Sequence, residues 1–184
     1  MIGSMPPSLV VGISNIDRRR DFTFPTRIEK DKTDFPTTGG SDKFISCLSG
    51  EIIPLIERRF RTNNSRTIIG QSLGGLLATE ILSRQPGLFN TYFIVSPSLW
   101  WDNESILDRF NNLAQYKGPD SIHIFLSVGS EGKAMQSATV RLAETIKKAR
   151  LNKLRLQFQP LPQEDHLTIL HNAIYAALLW RYKK

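Results

Sequence analysis

Along the chain, short apolar runs alternate with stretches in which apolar positions recur every three or four residues. Four runs, at residues 9–13, 67–70, 92–95 and 122–128, are nearly continuous and rich in β-branched and aromatic side chains. Such runs predict strands covered on both faces. A fifth, at 153–158, alternates strictly between polar and apolar residues, which predicts one wet face and a place at a sheet edge. Between them the spacing turns helical. Phe44, Leu48, Ile52, Leu55 and Ile56 share one face, with Ser41 as N-cap and Pro54 kinking or splitting the helix. Leu76, Leu77, Ile81 and Leu82 make a second face, Ile106, Phe110 and Leu113 a third, and Met135, Ala138, Leu142 and Ile146 a fourth; residues 167–182 close the chain as a largely apolar helix.

This alternation predicts a single α/β domain over residues 1–184: a three-layer sandwich whose mainly parallel sheet of about five strands carries helices on both faces. Right-handed crossovers then line the carboxyl ends of the strands along one edge, where α/β proteins place their sites. Residues 14–42 fit no element, and long connections of this kind are functional or mobile. No internal repeat or domain boundary interrupts the pattern.

Composition removes several classes. With 40% hydrophobic and 22% charged residues, the chain is neither disordered nor fibrous. No apolar run approaches the ~20 residues of a membrane helix. The opening residues, Met1 to Pro7, lack the charged and apolar regions of a signal peptide, so a cytoplasmic setting is the default expectation. Cys47 stands alone, which excludes internal disulfides and multi-cysteine metal sites and predicts a buried structural thiol. The net charge of +7 comes from scattered Lys and Arg, with one tight cluster at Arg18, Arg19 and Arg20 and no nucleic-acid motif. A solvated surface is the expectation, and no nucleic-acid partner.

The chemistry is concentrated at Gly70-Gln71-Ser72-Leu73-Gly74. It matches G-x-S-x-G and stands between a predicted strand and a predicted helix, the context that a nucleophile elbow requires. The helix start also offers free N–H groups to a developing oxyanion, that of Leu73 first. A serine hydroxyl needs a base. Of three histidines, His123 falls inside a strand, as a satisfied core residue, and His171 inside the last helix. His166 falls on the loop after the last strand, which opens onto the same edge as Ser72. The acid belongs on the loop after the preceding strand, where Glu131 is the sole carboxylate in Gly129-Ser130-Glu131-Gly132-Lys133. Asp165 beside His166, or a Ser–His dyad, are the competing arrangements; Glu164 and Asp165 otherwise read as loop-capping or solvated.

These segments resemble a known family. Gly70-Gln71-Ser72-Leu73-Gly74-Gly75-Leu76, Pro86-Gly87-Leu88-Phe89-Asn90 and Ser96-Pro97-Ser98-Leu99-Trp100-Trp101-Asp102 are similar to the putative-esterase branch of the α/β-hydrolases, as are residues 10–23 and Glu164-Asp165-His166. That branch contains enterobactin-type siderophore esterases, S-formylglutathione hydrolases, feruloyl esterases and mycolyltransferases. The resemblance, from about residue 9 to the end, implies hydrolysis of a small-molecule ester without metal or cofactor, with Ser72, Glu131 and His166 at the triad positions. Acyl transfer by the same triad, or a catalytically impaired remnant, are the alternatives. Trp100 and Trp101 are candidate walls of the substrate pocket, equally a packed rim; Arg18 and Arg20 are candidate anion contacts, equally surface charge. In the family the run at 9–13 corresponds to an inner strand, so the chain reads as N-terminally truncated relative to that fold. An open sheet edge and self-association through it are the expected consequences.

Overall fold

A computed structural model describes residues 5–115, 118, 121–149 and 153–182, of 111–115 the backbone alone, so that the side chain of Leu113 on the predicted third face lies outside what is described. Helices α1 (Arg18–Asp21), α2 (Glu29–Asp34), α3 (Ser41–Cys47) and α4 (Ile53–Arg59) precede strand β1 (Thr67–Ser72). Then follow α5 (Leu73–Arg84), β2 (Thr91–Pro97), a 3₁₀ segment (Trp101–Gln115), β3 (Ile122–Ser127), α6 (Lys133–Lys148), β4 (Leu154–Phe158) and α7 (Ile169–Tyr182). The four strands form one parallel sheet in the order β1-β2-β3-β4.

The strand patterns explain the layers. β2 is buried at every position, as a continuous apolar run in a parallel sheet should be. Its alternate residues feed different cores. Tyr92 and Ile94 join Ile122, Ile124 and Leu126 beneath α3, α5 and α6, whereas Phe93, Val95 and Phe125 meet Ile169, Ala173 and Ala177 of α7 on the other face. β4 lies at one edge of the sheet, in line with its alternating sequence.

The predicted first strand is absent. Residues 9–13 have strand composition, but Val10 is 87% exposed and Leu9, Val11 and Ile13 are also exposed. An extended segment joins a sheet only by sharing backbone hydrogen bonds with a neighbour, and residues 9–13 pair with none of the described strands. The sheet therefore has four strands rather than about five, with β1 at the second edge.

Smaller departures have local causes. Gly40, not Ser41, occupies the N-cap of α3, and the Ser41 hydroxyl is buried without a hydrogen-bond partner. A π-helical turn (Leu48–Ile52) separates α3 from α4 just ahead of Pro54; proline has no N–H to give, and a wider turn accommodates the break. Cys47 is half-buried rather than enclosed. Residues 14–42 carry two short helices and are strapped to the body by Asp102, whose Oδ1 accepts Thr26 Oγ1 (2.9 Å) and the Arg27 N–H (2.6 Å). Burial raises that carboxyl, but hydrogen bonds from Ser105, Arg27 and Thr26 prevail and hold it below the ordinary carboxylate range.

Candidate active site

β1 delivers Ser72 to the carboxyl edge of the sheet and α5 begins at the next residue. The turn between them is tight. Ser72 has φ 59° and ψ −123°, a conformation that costs a non-glycine residue about 1–3 kcal/mol. Burial of Leu76, Leu77, Ile81 and Leu82 on α5, each contributing about 1.5–3 kcal/mol, outweighs that cost. Two glycines make the approach feasible. A Cβ on Gly70 would lie 2.2 Å from Gly74 O, and one on Gly75 would lie 2.9 Å from Pro97 Cα. The strand packs against the following helix turn with no room for a methyl group.

The loops after β3 and β4 meet beside Ser72. His166 Nδ1 lies 2.9 Å from Glu131 Oε2. A carboxylate can only accept, so Nδ1 carries the proton and Nε2 of the neutral ring is left with its lone pair. The Glu131 side chain is 3% exposed and His166 is 39% exposed, so the acid is enclosed while the imidazole reaches solvent. Glu131 Oε1 accepts a 2.5 Å hydrogen bond from Ser96 Oγ. The His166 loop is tied back to the elbow, because Gln71 Nε2 donates to His166 O at 2.7 Å. Ser130 N donates to Glu164 O at 2.7 Å, joining the two loops directly.

Ser72, Glu131 and His166 line one open cavity of about 510 Å³ with Ser98, Trp100, Ser130, Met135, Asp165 and Leu167. That volume is within the range of small-molecule sites. The Ser72 hydroxyl shares a hydrogen bond with Ser98 Oγ at 3.3 Å. Leu73 supplies the first N–H of α5, beside Ser72.

Other sequence candidates separate. Trp100 lines the cavity. Trp101 is fully buried, with Nε1 donating to Phe24 O at 2.9 Å; it packs the core and forms no wall of the cavity. Arg18 and Arg20 are exposed and outside the lining. The Arg20 Nε donates to Asp21 Oδ1 at 2.8 Å, so its charge is engaged locally. Asp165 Oδ1 accepts the N–H groups of Leu167 and Thr168, and Glu164 Oε1 accepts Asn172 Nδ2; both carboxylates serve the entry to α7. His123 is half-buried rather than a satisfied core residue, since its Nδ1 has no hydrogen-bond partner. Ser96 and Ser98 were not singled out by sequence reasoning. The available signal was a Ser-Pro-Ser at the carboxyl end of the strand beside the elbow.

Among the described residues, no group of three or more His, Cys, Asp or Glu could hold a metal ion, and no helix is long and apolar enough to cross a membrane.

The fold is that of the α/β-hydrolase class, which solved esterases share. Over residues 2–178 the sequence matches the family described as Putative esterase, and the chain belongs to that family. It is 31% identical over 192 residues to the ferri-bacillibactin esterase BesA of Bacillus subtilis (strain 168), covering 94% of this chain and 66% of BesA. The crystal structure of the BES protein from Bacillus cereus superposes with a TM-score of 0.80 at 31% identity, over 88% of this chain and 62% of that one. An IroE-like serine hydrolase from Shewanella oneidensis shares the fold, with a TM-score of 0.81 at 24% identity over 92% and 58% of the two chains. The chain thus spans about two thirds of the length of BesA and less of the two solved structures.

Proposed function

We propose that the protein hydrolyses carboxylic esters through an acyl-enzyme on Ser72, and that its substrates are siderophore-type esters. The observation that carries the reading is the convergence of the elbow serine and the His166–Glu131 pair on one cavity. Ser72 Oγ attacks the acyl carbon as His166 Nε2 takes its proton. The carbonyl oxygen becomes an oxyanion facing the Leu73 N–H and the positive end of α5. Collapse breaks the bond to the alcohol oxygen, which leaves with the proton from His166. Water then attacks the acyl-enzyme, giving its proton to His166, and the acid is released with Ser72 restored. Glu131 holds the ring tautomer and offsets the charge of the imidazolium.

The substrate class is supported by the names of relatives, which include BesA and, over 38% of this chain at 39% identity, a siderophore enterobactin esterase of Emericella nidulans. The indole of Trp100 suits flat aromatic groups at the mouth of the cavity. A fluorophosphonate probe with an ester panel tests the reading. Labelling of the wild-type chain but not of Ser72→Ala, with hydrolysis of siderophore esters, is expected. Equal labelling of both would overturn the assignment of Ser72.

A further inference from the structure

We infer that Ser96 is a positioning residue for the reaction, which acts by fixing the carboxylate of Glu131 against His166. The inference rests on the reading of Ser72, His166 and Glu131 given above.

The starting point is a backbone irregularity. β1 and β2 pair one to one as far as Gln71 and Val95, and then Ser72 pairs with Pro97. Ser96 is therefore the extra residue of a bulge opposite the elbow. Its φ is 43°, in the left-handed region where glycine is the ordinary occupant of a bulge. The site is fully buried. A serine held there bears backbone strain and must also place a hydroxyl where no water can bond it. The hydroxyl is satisfied by one contact, the 2.5 Å bond to Glu131 Oε1, while the surrounding packing holds the strained backbone. An observed outlier of this kind, beside a site, points to a role for the side chain.

The chemistry of the acid shows what the role is. A glutamate has one more rotatable bond than an aspartate, so on its loop it has more ways to turn away from the imidazole. Its two oxygens are held by different elements. Oε1 is held from β2 by Ser96, and Oε2 faces His166 Nδ1 from the loop before α7. With one oxygen pinned, rotation of the carboxylate would break the Ser96 bond, so the second stays directed at the ring. Gly129 clears the space: a Cβ there would lie 3.0 Å from Oε1. Ser96 is not among the residues lining the cavity, so it acts through Glu131. The bulge also sets Pro97 against Ser72 and Ser98 Oγ beside Ser72 Oγ. One turn of β2 thereby references both ends of the triad to each other.

The test is a double-mutant cycle on the full chain. Turnover of an activated ester and the rate of fluorophosphonate labelling are measured for wild type, Ser96→Ala, Glu131→Gln and the double variant, with circular dichroism for folding. Ser96→Ala keeps the backbone strain and removes only the hydroxyl. It should lower kcat by roughly 10-fold, the size of the coupling between side chains in one hydrogen-bond network, with KM unchanged. In the Glu131→Gln background it should change the rate by less than about 2-fold, since groups in one network do not contribute independently. The low-field proton resonance of His166 Nδ1 should move in Ser96→Ala, which a purely structural serine would not cause. Ser96→Gly relaxes the backbone and should lose as much rate as Ala. Wild-type rates in either variant, an unmoved resonance, or losses that multiply with Glu131→Gln would overturn the inference. Labelling of Ser72→Ala equal to wild type would instead sink the underlying reading, and the two failures are distinguishable.

Discussion

Asp165 and Thr168 are bonded to each other in both directions: the Asp165 N–H donates to Thr168 Oγ1 at 3.1 Å, and the Thr168 N–H donates to Asp165 Oδ1 at 3.0 Å. This is the reciprocal arrangement that starts a helix. Backbone N–H groups of Leu167 and then Thr168 hold the Asp165 carboxyl below the ordinary carboxylate range. A group so engaged is a poor second choice for the acid. Asp165→Asn should leave kcat within about 2-fold and lower Tm modestly, while Glu131→Gln should cut kcat markedly with the protein still folded. The reverse pattern, read from steady-state kinetics of both variants, would transfer the acid role to Asp165.

Ser72→Ala and His166→Ala should each remove activity by on the order of 10³-fold or more, and the double variant should be no worse than either. Nucleophile and base act as one unit, so removing the second member removes nothing further. Single-turnover kinetics with an activated ester provide the measurement. Additive losses would mean that the two side chains contribute separately, against their placement at one cavity.

His123 predicts a pH effect on stability. Burial holds its imidazole below the ordinary histidine value, and the charges of Arg181 and Arg155 push it the same way. The native state thus prefers the neutral ring, and below the unfolded value of about 6.5 the unfolded chain binds the extra proton. The stabilisation is complete above about pH 6.5 and is lost as pH falls through the native value. Urea midpoints at pH 7.5 and 5.5 should therefore differ more for wild type than for His123→Phe, which keeps a ring against Trp180, 6.1 Å away in the native packing. Parallel declines in both proteins would show that other groups set the dependence.

What the sequence made legible follows from where the physics is local. Four strands and the elbow could be read because three apolar runs, one alternating stretch, Gly70 and Gly75 state their requirements within a few residues. The loops bearing Glu131 and His166 could be read from chain order. Trp100 and Trp101 could not be told apart, because adjacent residues differ in direction only once the backbone after β2 is fixed, and Asp102, Asn103 and Glu104 all adopt positive φ there. Ser96 escaped notice because a bulge is a relation between two strands. Residues 9–13 misled for a related reason: composition states a preference for strand but cannot supply the neighbour that makes one.

The open edge of β1 predicts self-association of the 184-residue chain. The outer edge of β1 carries no strand among the described residues, so N–H and C=O groups along it can bond a second chain. β1 itself exposes an apolar side chain. Ile69, which lies on the α7 side of the sheet by its pairing with Phe93, is 52% exposed. Leu9, Val10, Val11, Ile13 and Ile16 are exposed as well. Natural edges are protected by charge, and lysine is the usual guard. Sedimentation velocity across a hundredfold range of concentration should show wild type shifting from monomer to larger species. Ile69→Lys should shift toward monomer at every concentration while keeping fluorophosphonate labelling of Ser72, because residue 69 is not among those lining the cavity. A wild-type chain that stays monomeric throughout the range would refute association. Association unchanged by Ile69→Lys would place the contact elsewhere, with the exposed residues 9–16 the next to replace.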